Sequence, residues 1–183
     1  MSGKESMKIL IDCGASNGSA MRELENKYGI FDKIYAIEPN PENARQINTK
    51  ESKIVKLEVA ISTVYGKSKL YFSERYDGST LYLNKKSGNI RSDHFVEVET
   101  IDFSDWLAKN IVRDDYVVCK MDVEGAEFDV LEHLLEARQM DLIDVLLVEW
   151  HVSRFPKPWT LRYRRFLIKL KLLFHPTILE NWR

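Results

Sequence analysis

An apolar run that stops at an acid and a glycine-rich turn, with a helix directly after it, leaves this chain few architectures. Lys8-Ile9-Leu10-Ile11-Asp12 reads as a short buried strand, and Cys13-Gly14-Ala15-Ser16-Asn17-Gly18 as the turn that follows. The next residues predict a helix over 19–28, closed by Gly29, a favoured residue just past a helix end. A second buried run, 33–38, ends in Glu38. Asn40-Pro41-Glu42 then supplies an N-cap, a proline at the first helical position and an acid in the first turn. A third strand is predicted over 54–61. This β-α-β-α-β order means parallel strands joined by crossover helices, and hence an α/β sheet covered on both faces.

Past residue 64 the pattern changes. Residues 68–72 and 94–99 read as exposed strands around a loop, 76–91, rich in Gly, Ser and Asn, which predicts an inserted β-hairpin region. A helix over 103–109, a strand over 116–121, a helix over 125–138 and a strand over 143–150 follow. The unbroken runs Val117-Val118-Cys119 and Val145-Leu146-Leu147-Val148 suit strands buried on both faces. A tail helix over 161–174 places Tyr163, Phe166, Leu167, Leu170, Leu173 and Phe174 near one face, which is predicted to pack on the sheet. Residues 177–180 read as a short edge strand. With 183 residues, the chain is expected to form a single domain, with a body over 8–151 and a tail over 152–183. So short a tail predicts a shortened C-terminal end of the sheet, whose open edge a second copy in a homo-oligomer would cover.

Charge is unevenly spread. Residues 151–183 hold eight Lys or Arg against one acid, Glu180, a balance of +7 that leaves −8 for the first 150 residues. The plain reading is a crossover helix with a solvated polar face. The sharper one is a docking surface for an anionic partner. No apolar run approaches the ~20 residues needed to span a bilayer, and the first residues lack a signal-like apolar stretch. Cys13 and Cys119 both lie in apolar runs, which suits buried thiols in a reducing compartment. A cytoplasmic location is therefore expected.

The turn after the first strand has a chemical reading as well. Glycines let the backbone approach a ligand closely, and the helix start exposes unpaired N–H groups. Glu38 stands at the tip of the second strand, 24 positions beyond Gly14, where a carboxylate can take both ribose hydroxyls of a nucleoside. Four segments in this order resemble the signatures of FkbM-type methyltransferases. They are Ile11-Asp12-Cys13-Gly14-Ala15-Ser16-Asn17-Gly18, Glu38-Pro39-Asn40, Lys120-Met121-Asp122-Val123-Glu124-Gly125-Ala126-Glu127 and Val148-Glu149-Trp150-His151. The similarity covers roughly residues 8–151, and the Lys-x-Asp-Val-Glu-Gly-x-Glu block is its most specific piece. It implies a Rossmann-like, doubly wound, mostly parallel sheet of the class I methyltransferase kind. It also implies S-adenosyl-L-methionine as methyl donor and a hydroxyl of a sugar, glycan or natural product as acceptor. On that resemblance, Asp12, Gly14 and the backbone around Ala15, Asn17 and Gly18 would hold the methionine part. Glu38, with Asn40 beside it, would hold the ribose, and Ala60 and Ile61 would border the adenine.

Methyl transfer asks a protein to align an acceptor oxygen, exclude water and accept one proton. Ligands of open α/β sheets bind at the carboxyl ends of the strands. Asp122 follows one such strand, with Glu124 on the next loop, and Glu149 and His151 end another. These four are the candidate catalytic residues, Asp122 for contact with donor or acceptor and His151 for the base. Glu124 and Glu127 also suit plain complementation of a helix N-terminus. Asp122, Glu124 and Glu149 carry hard oxygen donors, yet no dedicated ligand spacing is present and no metal is expected. Gly78-Ser79-Thr80-Leu81 and the aromatics Tyr71, Phe72, Tyr76 and Tyr82 are further candidates for the acceptor side.

Two other classes compete. A nicotinamide oxidoreductase is disfavoured because the turn lacks the middle glycine of G-x-G-x-x-G: Ser16 and Asn17 stand there. A non-catalytic nucleotide- or polyanion-binding module would use the basic tail and bind with strong salt dependence.

Overall fold

A computed structural model describes residues 6–74 and 78–182; residues 1–5, 75–77 and 183, the candidate Tyr76 among them, lie outside that description. In chain order the strands are β1 (Lys8–Cys13), β2 (Lys33–Ile37), β3 (Ile54–Leu57), β4 (Ala60–Ser62), β5 (Gly66–Tyr71), β6 (Phe95–Asp102), β7 (Tyr116–Met121), β8 (Val145–Val148) and β9 (Ile178–Asn181). The helices are α1 (Ser19–Tyr28), α2 (Pro41–Ala44), α3 (Phe103–Asn110), α4 (Glu127–Glu136) and α5 (Pro158–Leu173).

Six strands make the main sheet in the order β3-β2-β1-β7-β8-β9, and every neighbouring pair is parallel. Successive strand residues point to opposite faces, so the unbroken apolar runs feed two cores. On one face, Ile9, Ile11, Cys119 and Leu146 pack with Leu107 of α3, Leu131 and Leu134 of α4 and Ile168 of α5. On the other, Leu10, Ala36, Val118 and Leu147 pack with Met21 and Leu24 of α1 and with Trp182. The start of α2 forms as its residues predict: Asn40 Oδ1 accepts from the Glu42 amide at 3.0 Å, and Pro41 takes the first helical position.

Two sequence expectations are corrected. The strand expected over 54–61 is two strands in different sheets. Glu58 and Val59 carry the chain from β3 to β4, which joins β5 and β6 in a separate three-stranded sheet, ordered β4-β6-β5. Here β4 runs parallel to β6 and β5 antiparallel. An alternation of side chains marks extended backbone and is blind to a change of partner strand.

The second correction concerns α5, which starts at Pro158 and turns the opposite face inward from the one expected. Ile168 and Leu172 are buried, while Tyr163, Phe166, Leu170, Leu173 and Phe174 are exposed. Counting apolar residues favours the wider stripe, but ion pairs choose the narrower one. Arg164 reaches Asp129 at 2.7 Å and Glu132 at 2.6 Å on α4 and lies over the Phe128 ring. Arg165 lies over the Trp150 ring. Ile168→Ala is therefore expected to lower unfolding free energy by about 2–4 kcal/mol. Leu173→Ala should stay within about 0.5 kcal/mol of the parent. Urea denaturation of the two variants checks this, and equal losses would contradict the inward face.

Candidate functional site

The strand order places β1 between β2 and β7, so the crossover connections leave β1 and β7 toward opposite edges. A crevice opens at the carboxyl ends of such a pair. A cavity of about 440 Å³ lies there, within the range of small-ligand sites. Its walls are the glycine turn after β1, the tip of β2, the segment around β4, residues 78–81 and the loop after β7.

Two contacts lock these loops together. The amides of Gly14 and Ala15 both donate to Ile37 O, and Asp122 N donates to Cys13 O at 3.0 Å. Gly14 has φ of 76°, and a Cβ built on it would stand 1.9 Å from the Asp122 carbonyl oxygen. Only a glycine lets the turn and the end of β7 meet this closely.

The side expected to hold the nucleoside divides. Gly14, Ala15, Glu38, Ala60 and Ile61 line the cavity; Asn17, Gly18 and Asn40 are outside its lining. Asn17 Oδ1 accepts from Ser19 N, Gly18 caps α1 in a left-handed conformation, and Asn40 starts α2. Glu38 ties the two loops: Oε2 accepts from Ser16 N at 2.8 Å and Oε1 from Asn40 N at 2.9 Å. The amides of Gly14, Ala15 and Ser16 are thus already engaged within the protein. Burial raises the Glu38 carboxyl above its ordinary range, partly offset by those two amides.

Asp12 is fully buried beneath the turn. Lys120 Nζ stands 3.1 Å from Asp12 Oδ1, donates to Gly14 O at 2.7 Å and lies 3.5 Å from Asp122 Oδ2. Neither Asp12 oxygen meets a donor in good hydrogen-bonding geometry. Burial raises the Asp12 carboxyl despite Lys120. Burial pulls Lys120 down, but Asp12 and Asp122 together hold it above its usual value.

The four candidate catalytic residues converge from two strand ends. His151 Nε2 lies 3.6 Å from Asp122 Oδ1, 3.4 Å from Glu124 Oε2 and 3.4 Å from Glu149 Oε1. Asp122 and Glu124 are on the cavity wall; Glu149 and His151 sit behind it. Burial works against a charged His151, yet Glu127, Glu124 and Asp122 outweigh it and raise the ring above its ordinary value. Glu149 is raised by burial and by Asp122. Asp122, Glu149 and His151 each offer one donor atom, all within 4.8 Å of one another, a set able to hold a metal ion.

Some site residues escaped sequence reasoning. Lys85 Nζ lies 3.0 Å from Glu124 Oε2, and Arg154 Nη1 2.8 Å from the same oxygen. Thr80, already a candidate for the acceptor side, donates from Oγ1 to Glu124 O at 2.7 Å. Trp182, near the end of the chain, reaches the cavity wall. Lys85 and Arg154 carried no local signal, since their partners are far away in the chain. Trp182 carries no local signal beyond its place in the basic tail.

A doubly wound parallel sheet with its cavity at the β1/β7 switch defines a Rossmann-like α/β protein of the class I methyltransferase type. The family model described as the methyltransferase FkbM domain matches residues 12–174, so the chain belongs to the FkbM methyltransferase family. A crystal structure of methyltransferase FkbM from Methylobacillus flagellatus KT is similar in fold, with a TM-score of 0.52 and 19% identity. The match covers 90% of this chain and 37% of that one, so the chain spans well under half of that relative's length. No curated protein gave a match. Among the described residues, no helix is long and apolar enough to cross a membrane.

Proposed function

We propose that the chain is a single methyltransferase domain that uses S-adenosyl-L-methionine to methylate a hydroxyl of a sugar, glycan or natural product. The observation that carries this reading is the cavity with Glu38 on one wall and Asp122 on the other. The residues suit the donor on an independent ground: Glu38 puts a buried carboxylate on the cavity wall, where the two ribose hydroxyls of the donor would meet it, and Asp12 holds the turn from beneath with Lys120 at 3.1 Å. When bound, the donor supplies an electrophilic methyl group on a sulfonium. Glu38 would accept from the ribose hydroxyls, and Ala60 and Ile61 would flank the base.

Asp122, rather than the His151 expected from sequence, would receive the acceptor's proton as the acceptor oxygen bonds to the methyl carbon and the methyl–sulfur bond breaks to leave S-adenosylhomocysteine. It is on the cavity wall and partly exposed, whereas His151 lies buried behind it. His151, Glu124 and Glu149 then orient Asp122 and set the field around it. Residues 78–81 and Arg154 border the acceptor side. The unpaired, buried thiols of Cys13 and Cys119 fit a cytoplasmic home.

A thermal-shift panel tests the class. S-adenosylmethionine and S-adenosylhomocysteine should raise the melting temperature and NAD should not, because a ligand that binds only the native state stabilises it. Stabilisation by NAD alone would overturn the assignment. Glu38→Gln is expected to weaken S-adenosylhomocysteine about tenfold or more by calorimetry, since a hydrogen bond to a charged group is worth about 1.5–3 kcal/mol. Asp122→Asn should lower turnover by about two to four orders of magnitude with donor affinity little changed.

A further inference from the structure

We propose that the ends of β7 and β8 form a divalent-cation site, with Asp122, Glu149 and His151 as protein ligands. The strongest observation is the histidine. His151 is 2% exposed, and neither ring nitrogen makes a hydrogen bond, although both are buried. Its Nε2 points into three carboxylates at 3.4 to 3.6 Å. Donors around a cation with bonds near 2.0–2.2 Å stand roughly 3.0–3.5 Å apart; Nε2 lies 3.6 Å from Asp122 and 3.4 Å from Glu149, and the three donor atoms all fall within 4.8 Å of one another.

The other side of the ring is also arranged for a ligand role. Glu127 Oε1 faces His151 Nδ1 at 3.3 Å and accepts from the His151 amide at 2.8 Å, while Oε2 accepts from Gly125 N at 2.8 Å. Metal-ligating histidines commonly present one nitrogen to a carboxylate and the other to the ion. A fixed carboxylate behind Nδ1 leaves Nε2 free to coordinate.

Charge points the same way. Around this cluster five carboxylates (Asp12, Asp122, Glu124, Glu127 and Glu149) meet three cations, Lys85, Lys120 and Arg154. With a neutral imidazole that leaves two negative charges in excess, which a divalent cation cancels. One imidazole with two carboxylates suits Mn²⁺, Fe²⁺ or Zn²⁺ better than Ca²⁺. Asp122 lines the cavity, so the cluster borders the acceptor side through that residue. If the methyl-transfer reading holds, on which this last point rests, the ion would bind the acceptor hydroxyl and make it easier to deprotonate.

The test is cation binding, with no turnover involved. Chelator-stripped protein is titrated with Mn²⁺ while the free aquo-ion is followed by electron paramagnetic resonance, and Zn²⁺ is added as competitor. One Mn²⁺ per chain, displaced by Zn²⁺, is expected. His151→Ala and Glu149→Gln should each weaken it at least tenfold, and the surface control Glu97→Gln should leave it unchanged. Circular dichroism checks each fold, and if His151→Ala does not fold, Asp122→Asn decides in its place. No Mn²⁺ binding, or equal binding in the cluster variants, overturns the site. S-adenosylhomocysteine binding on the same samples separates the two readings. Mn²⁺ bound without it supports the cation site and removes the methyl-transfer reading, and the reverse result overturns the cation site alone.

Discussion

Gly14→Ala is expected to lower unfolding free energy by about 3 kcal/mol or more and to abolish binding of S-adenosylhomocysteine. Two separate costs add. The residue has φ of 76°, a region that an L side chain occupies at a cost of about 1–2 kcal/mol. The new Cβ would also stand 1.9 Å from Asp122 O, a backbone atom that no rotamer change can move aside. Relief requires the turn after β1 to move away from the end of β7, which opens the cavity and breaks the Asp122 N to Cys13 O hydrogen bond. Against a typical total of about 5–15 kcal/mol, the loss is large. Urea denaturation measures it, and calorimetry with S-adenosylhomocysteine measures the second consequence. A stable variant that binds normally would mean that the turn and the strand end are farther apart than 1.9 Å implies.

Lys120→Met carries the other large effect. Its ammonium is almost fully buried and is the cation nearest to the wholly buried Asp12. Removing one partner of a buried ion pair leaves a charge in a poor solvent and costs about 3–5 kcal/mol. The double variant Asp12→Asn, Lys120→Met should recover most of that loss, because the stranded charge goes with its partner. The pH dependence has a defined sign. Burial already raises Asp12 in the parent, and without Lys120, which lowers it, the carboxyl rises further. A carboxyl that holds its proton more tightly when folded favours the native state as pH falls. The deficit of Lys120→Met should therefore shrink on acidification through the raised value and be largest near neutrality. Denaturation midpoints at several pH values check this, and a pH-independent deficit would place the loss in packing instead.

The fold was legible wherever a local rule sufficed. Asn40-Pro41-Glu42 forms the helix start that its residues specify, because capping involves only neighbours in sequence. The apolar runs of β1, β7 and β8 became central strands, since burial on both faces favours apolar residues on either side of the chain, with Asp12 and Lys120 buried as a pair. The inward face of α5 differs from the expected one because Arg164 draws it toward Asp129 and Glu132, on another helix. The division between β3 and β4 was hidden because two short extended segments in succession look like one.

The site shows the same division. Glycine-rich turn and strand-tip acids are legible from residue order, because β-α-β connectivity forces strand ends onto one edge, and the Asp-Val-Glu-Gly-x-Glu block is singled out by its family resemblance. Which groups meet there is a matter of packing between distant segments. Lys85, Arg154 and Trp182 join the site from positions with no motif of their own, and His151 lies outside the cavity lining with Nε2 against Asp122, Glu124 and Glu149. Local sequence dictates backbone conformation through short-range sterics and hydrogen bonds. Partnerships between charges depend on a burial that exists only once the sheet has closed over them.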